Sequence, residues 1–175
     1  VKRLTDKCAQ LFKRFLLELR KEFPQMSWCH CPNAWSPPEM GPWLSNDECG
    51  AFGVEMFEEF CLPELIELAE TFGGLGMHCC AQAEHQFSSF EKIPNFYAFN
   101  RVAAKGGPGY PALLEHFADP GAPVHVLGWM EESMIRNLIA NAPQGTRFIF
   151  QQSFAELDSA RGWLERMRQL SPRQD

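Results

Sequence analysis

From residue 75 onward, short apolar runs alternate with segments of helical period, and this alternation restricts the chain to few folds. Leu75-Gly76-Met77-His78-Cys79-Cys80, Asn95-Phe96-Tyr97-Ala98-Phe99-Asn100, Val124-His125-Val126-Leu127 and Thr146-Arg147-Phe148-Ile149-Phe150 read as strands. Helical patterns over 84–92, 111–117, 132–140 and 154–170 separate and follow them. Connections of this length are crossovers, not hairpins, and they return the chain to a parallel neighbour. Upstream, Leu4, Cys8, Leu11, Phe12, Phe15 and Leu19 recur at steps of three and four, which predicts an amphipathic helix ended by Phe23-Pro24. Residues 26–31 read as one more strand, stopped at Pro32. The Pro-, Gly- and Trp-rich stretch 32–47 reads as a long irregular loop, and such loops tend to be functional. Met56, Phe57, Phe60, Cys61, Leu65, Leu68, Ala69 and Phe72 mark a second long helix, kinked or divided at Pro63 and stopped at Gly73-Gly74.

The expected fold is therefore α/β, as part of a (β/α)8 TIM-type barrel with parallel strands alternating with helices. A complete barrel takes roughly 250 residues, so 175 residues suffice for about five of its eight units. A doubly wound open sheet is the alternative, but no Gly-rich phosphate turn follows the first strand. Residues 1–175 read as one domain, with a leading helix over 1–23 and βα units over 26–170. A partial barrel exposes sheet edges and inner faces, so self-association or completion by a missing N-terminal half is expected.

Composition narrows the partners. Hydrophobic residues at 45% suit a packed core and exclude a disordered chain. No apolar run reaches the roughly 18–20 residues of a membrane span, and no signal peptide is read at the start. A net charge of -6 without a basic stripe argues against nucleic acid and against an anionic membrane surface. Seven cysteines, an odd number placed inside apolar segments, favour a reduced, cytoplasmic protein. There is no CxxC pair, which removes the zinc-ribbon and thioredoxin readings.

In a barrel the chemistry sits where strands end and βα loops begin. That rule selects His30 and Cys31, His78 with Cys79 and Cys80, Asn100, Gly128 with Trp129, and Gln151 with Gln152. His30, Asn100 and Gln151 are accordingly expected to meet a small-molecule substrate. His78 and Cys80 stand two apart on a strand and so share a face, and imidazole with thiolate suits zinc. His85, at the start of the next helix, is placed to reach the same spot. The competing reading of His78 is a buried histidine bonded to backbone beside small apolar thiols. Trp35, Trp43 and Asp47 sit in the long loop, where two tryptophans would wall a pocket and Asp47 would face its mouth. Ser45 with Glu48 equally makes a capping box for the following helix. His116 and His125, without an acid or cysteine nearby in sequence, read as structural.

Three stretches together resemble the uroporphyrinogen decarboxylase superfamily, in its decarboxylase-like and cobamide-methyltransferase-like branch. They are Leu44-Ser45-Asn46-Asp47, Met56-Phe57-Glu58-Glu59-Phe60-Cys61-Leu62-Pro63, and Gly73-Gly74-Leu75-Gly76-Met77-His78-Cys79-Cys80. Gly53-Val54 and Ala81 depart from the pattern, where Ser-Pro and a glycine are usual. Ala83-Glu84-His85 also matches a histidine common in that branch. The resemblance implies that this chain is the C-terminal part of a (β/α)8 barrel, and it implies two chemistries. Decarboxylases of the family are carboxy-lyases that work without a cofactor, on an acidic residue and on arginines from a motif outside this chain. Methyltransferases use zinc to activate a thiol; their first two ligands match His78 and Cys80. Their third ligand, a cysteine near 150–153, is absent here, with Cys31 or His85 as substitutes. On this reading Asp47, His78 and His85 are catalytic, His78 and Cys80 hold the metal, and Trp43 walls the pocket. A non-catalytic assembly or binding module is the remaining alternative.

Overall fold

The computed structural model describes residues 1–29, 31, 34–102, 109–119 and 121–170. Five strands, β1 (Trp43–Ser45), β2 (Leu75–Cys79), β3 (Phe96–Arg101), β4 (Val124–Gly128) and β5 (Phe148–Gln151), form one parallel sheet in the order β1-β2-β3-β4-β5. The strand order follows the chain and never reverses, so the sheet has no switch point of the doubly wound kind. Between the strands run α2 (Val54–Phe60), α3 (Leu62–Phe72), α4 (Phe87–Phe90), α5 (Gly109–His116) and α6 (Glu132–Asn141). α1 (Lys2–Glu22) precedes the sheet and α7 (Leu157–Leu170) follows it. Among the described residues no helix is long and apolar enough to cross a membrane.

The period of two along each strand divides the sheet into faces. Leu75, Met77, Cys79 and Phe99 join Phe57, Phe87, Phe90 and Phe117 in the main core, under the helices. Ring pairs Phe57–Phe90, Phe90–Phe99 and Phe99–Phe117 lie edge to face with centroids 5.6–5.9 Å apart. The other face carries Trp43, Ala98 and Val126, packed with Trp28, Leu68 and Phe72. Gly76 lies on this second face directly under the Trp43 indole. A Cβ there would come 2.2 Å from Trp43 Cε3, so the indole needs the glycine.

The expected second long helix is divided, as Pro63 requires: α2 ends at Phe60 and α3 restarts at Leu62 with the proline in its first turn. α3 ends on Gly73 in the left-handed conformation, φ 81°.

Several expectations are corrected. The strand expected over 26–31 does not form in its described residues. Their apolar groups pack instead of pairing, with Trp28 edge-on to Phe72 at 6.4 Å. The first strand is Trp43–Ser45, inside the stretch read as loop. The helix expected over 84–92 is a 3-10 turn, Glu84–Gln86, followed by the single turn of α4. Ser45 does not begin a helix: it ends β1 opposite His78, and the next turn, Asp47–Ala51, has Asn46 at its N-cap. α1 also turns the wrong way for its pattern. Leu16 is its one buried residue, while Leu4, Leu11 and Phe15 are 68%, 71% and 57% exposed. A polar seam explains this: Gln10 and Lys13 both bind the Glu67 carboxylate of α3.

Candidate functional site

The carboxyl ends of β1 and β2 lie side by side, with Ser45 opposite His78. The Asn46 amide donates to the His78 carbonyl at 2.9 Å, which carries the chain past the strand end and delivers Asp47 above it. There Asp47 Oδ1 accepts the Cys80 backbone N–H at 2.7 Å and stands 3.6 Å from His78 Nε2. Cys80 is not on the strand, as its spacing suggested, but one residue beyond it. The ligand atoms of Asp47, His78 and Cys80 all lie within 4.8 Å of one another. His78 is buried, Asp47 half-buried and Cys80 exposed, so the cluster opens to solvent on one side.

One strand further, Asn100 stands opposite His78. Its Nδ2 donates to the Val126 carbonyl at 2.5 Å, an atom that only accepts. Its Oδ1 therefore faces His78 Nδ1, at 2.5 Å, and that nitrogen carries the proton. In the neutral ring, Nε2 then carries the lone pair, 3.6 Å from Asp47 Oδ1. An oxygen acceptor behind a ligating histidine is the usual arrangement at metal sites, because it fixes tautomer and ring orientation together. Cys31 borders the cluster without joining it: its Sγ is 3.8 Å from Nε2, and its carbonyl is held by Trp43 Nε1 at 3.2 Å.

Electrostatics match this arrangement. Partial burial pushes the Asp47 carboxyl up, but the backbone amide and thiol of Cys80 outweigh it and hold it below the usual range. The same contact acts on Cys80 in reverse: the Asp47 carboxylate, with burial, raises its thiol.

Other expected residues fall elsewhere. His85 stays outside the cluster: its Nε2 donates to the Phe52 carbonyl at 2.9 Å, beside Gln86 Nε2, which bonds the Cys49 and Phe52 carbonyls. It clips the Glu84–Gln86 turn to the Asp47–Ala51 turn. Asn100 is buried, with its amide engaged by His78 and Val126, and so positions a ring instead of meeting a substrate. Gln151 ends β5, three strand spacings or roughly 14 Å from β2. Trp35 and Trp43 do wall a cavity, of about 590 Å³, together with Tyr97, Val126 and Arg147. None of Asp47, His78 and Cys80 lines that cavity, which extends toward the amino ends of β3 to β5. His30 lies outside the described residues.

The positioning role of Asn100 escaped the sequence reading, because it depends on strand register. Its place at the end of the strand after His78 was the available signal. No protein-family model, curated protein or solved structure matches the chain.

Proposed function

We propose that the chain is part of a (β/α)8-type barrel, of the kind the uroporphyrinogen decarboxylase superfamily resemblance implies, and that its rim is a zinc centre for methyl transfer to a small thiol. The sequential parallel sheet supports the barrel. The observation that carries the function is the convergence of the Asp47, His78 and Cys80 ligand atoms within 4.8 Å, with the Asn100 oxygen behind His78 Nδ1. Three protein ligands with an open side is the donor count of a catalytic zinc site, and imidazole, thiolate and carboxylate are all donors zinc accepts.

A bound zinc ion would supply one thing, deprotonation of a coordinated thiol so that it is nucleophilic at neutral pH. The chain's residues do the rest. Asn100 holds the His78 ring in one tautomer. The Cys80 amide holds Asp47 Oδ1, leaving its second oxygen for ligation or for a proton. Cys31, with its sulfur 3.8 Å from His78 Nε2, borders the cluster and would flank a bound thiol.

A second reading has its own support. The 3.6 Å separation of Asp47 and His78 also suits a metal-free acid–base pair for a carboxy-lyase reaction. Metal analysis of untagged protein, followed by cobalt(II) substitution, separates the two. The zinc reading expects a thiolate-to-cobalt absorption band that Cys80→Ser removes. Absence of any band, with the fold intact, leaves the acid–base pair.

The exposed Leu4, Leu11 and Phe15 of α1, and Ile149 of β5 at 40% exposure, support self-association or completion by further barrel units.

A further inference from the structure

On the face of β2 opposite His78 lies a pair of side chains that the proposed chemistry does not use. Cys49 and Cys79 are both fully buried, and their sulfurs are 3.7 Å apart. Cys49 belongs to the Asp47–Ala51 turn and Cys79 is the last residue of β2, so the contact bridges the two segments that form the site. The Cys49 thiol also donates to the Asn46 carbonyl at 2.8 Å, which keeps its sulfur turned inward. We propose that Cys49 and Cys79 are a dithiol that hydrogen peroxide converts to a disulfide.

The geometry allows it with a small movement. A disulfide needs a separation of about 2.05 Å, so the sulfurs must close by roughly 1.7 Å. The Asp47–Ala51 turn is one short 3-10 segment, and Cys49 lies on the side of it that already faces β2. Peroxide suits an enclosed pair because it is little larger than water. One sulfur attacks a peroxide oxygen, the O–O bond breaks, and the departing hydroxide takes up the thiol proton to leave as water. The resulting sulfenic acid is attacked by the second sulfur. The S–O bond breaks, a second water leaves with the second thiol's proton, and the S–S bond forms. Two thiols are oxidised and one peroxide is reduced to two waters.

The bond would also act on the site. Cys49 is two residues after Asp47, and Cys79 lies between His78 and Cys80. Drawing the sulfurs together displaces Asp47 relative to His78. This part rests on the zinc reading above, whereas formation of the bond does not.

The test treats the reduced full chain with stoichiometric peroxide, alkylates it in denaturant and maps the peptides. The expected result is loss of two alkylatable thiols, restored by dithiothreitol, with a cross-linked peptide pair containing Cys49 and Cys79. Alkylated Cys49 and Cys79, with peroxide consumed only at Cys31 or Cys80, overturns the proposal. Cys49→Ala should leave Cys79 unable to form the cross-link; a cross-link from Cys79 to another cysteine in that variant counts against the pair. Zinc affinity of oxidised and reduced protein, read with a chromophoric chelator, is expected to differ at least tenfold. A mapped disulfide with unchanged zinc affinity overturns the coupling while the bond itself stands.

Discussion

His125 gives the most quantitative prediction. It sits on β4 with its ring fully buried, about 6 Å from the rings of Phe117 and Phe148, and neither ring nitrogen has a hydrogen-bond partner among the described residues. Burial, with Arg147 nearby, lowers its pKa from the ordinary 6.5 to about 4. The unfolded chain therefore binds a proton below about pH 6.5 that the folded chain refuses until about pH 4. Stability contributed by the neutral ring is present above pH 6.5 and is lost as pH falls toward 4. At about 1.4 kcal/mol per pH unit, the full loss is on the order of 3 kcal/mol. His125→Leu removes the titration and also the uncompensated nitrogens, which cost about 1–3 kcal/mol in their own right. Urea unfolding of both proteins from pH 7.5 to 4.5 is the assay. The variant should be the more stable at pH 7, and its advantage should widen by about 2–3 kcal/mol toward pH 4.5. A difference that stays constant across that range would refute the claim that the ring is buried in its neutral form.

Asn100→Leu keeps the branched shape but removes the acceptor behind His78 and the donor to the Val126 carbonyl; it should weaken zinc binding about 10–100-fold in a chelator competition and cost about 1–3 kcal/mol in unfolding. Gly76→Ala drives a methyl into the Trp43 indole and should cost about 1–3 kcal/mol in denaturant unfolding, since the neighbour is a rigid ring. Phe15→Glu, on the exposed face of α1, should shift light-scattering mass toward monomer without changing the far-ultraviolet dichroism; a wild-type chain that is already monomeric at high concentration would remove the self-association reading.

Strands β2 to β5 were legible because each is an apolar run of four to six residues bounded by turn signals. β1 was not, since Trp43, Leu44 and Ser45 are too few to show a period. The more strand-like run around Trp28 is apolar for another reason, packing against Phe72. α1 shows the same limit: its stripe of Leu4, Leu11 and Phe15 is a true helical pattern, but the seam through Gln10, Lys13 and Glu67 decides which side docks. At the site, His78 and Cys80 were legible as residue types at a strand end, and Asp47 only as an acid in a loop, because the strand that delivers it was not read. The division of labour was not legible. Asn100 supports His78 only because the register places them opposite each other, and His85 is drawn away by a carbonyl at Phe52 that lies 33 positions earlier in the chain. Register and long-range backbone acceptors leave no mark in local pattern.

His78, Cys80 and Asp47 are proposed to hold a metal ion together. Zinc content of the untagged protein, measured by elemental mass spectrometry after reconstitution and desalting, tests this most directly. About one zinc per chain is expected, as for a three-ligand site, with near-complete loss in His78→Ala and in Cys80→Ser variants that remain folded. Zinc well below stoichiometric, or retained in full by both variants, would contradict the proposal.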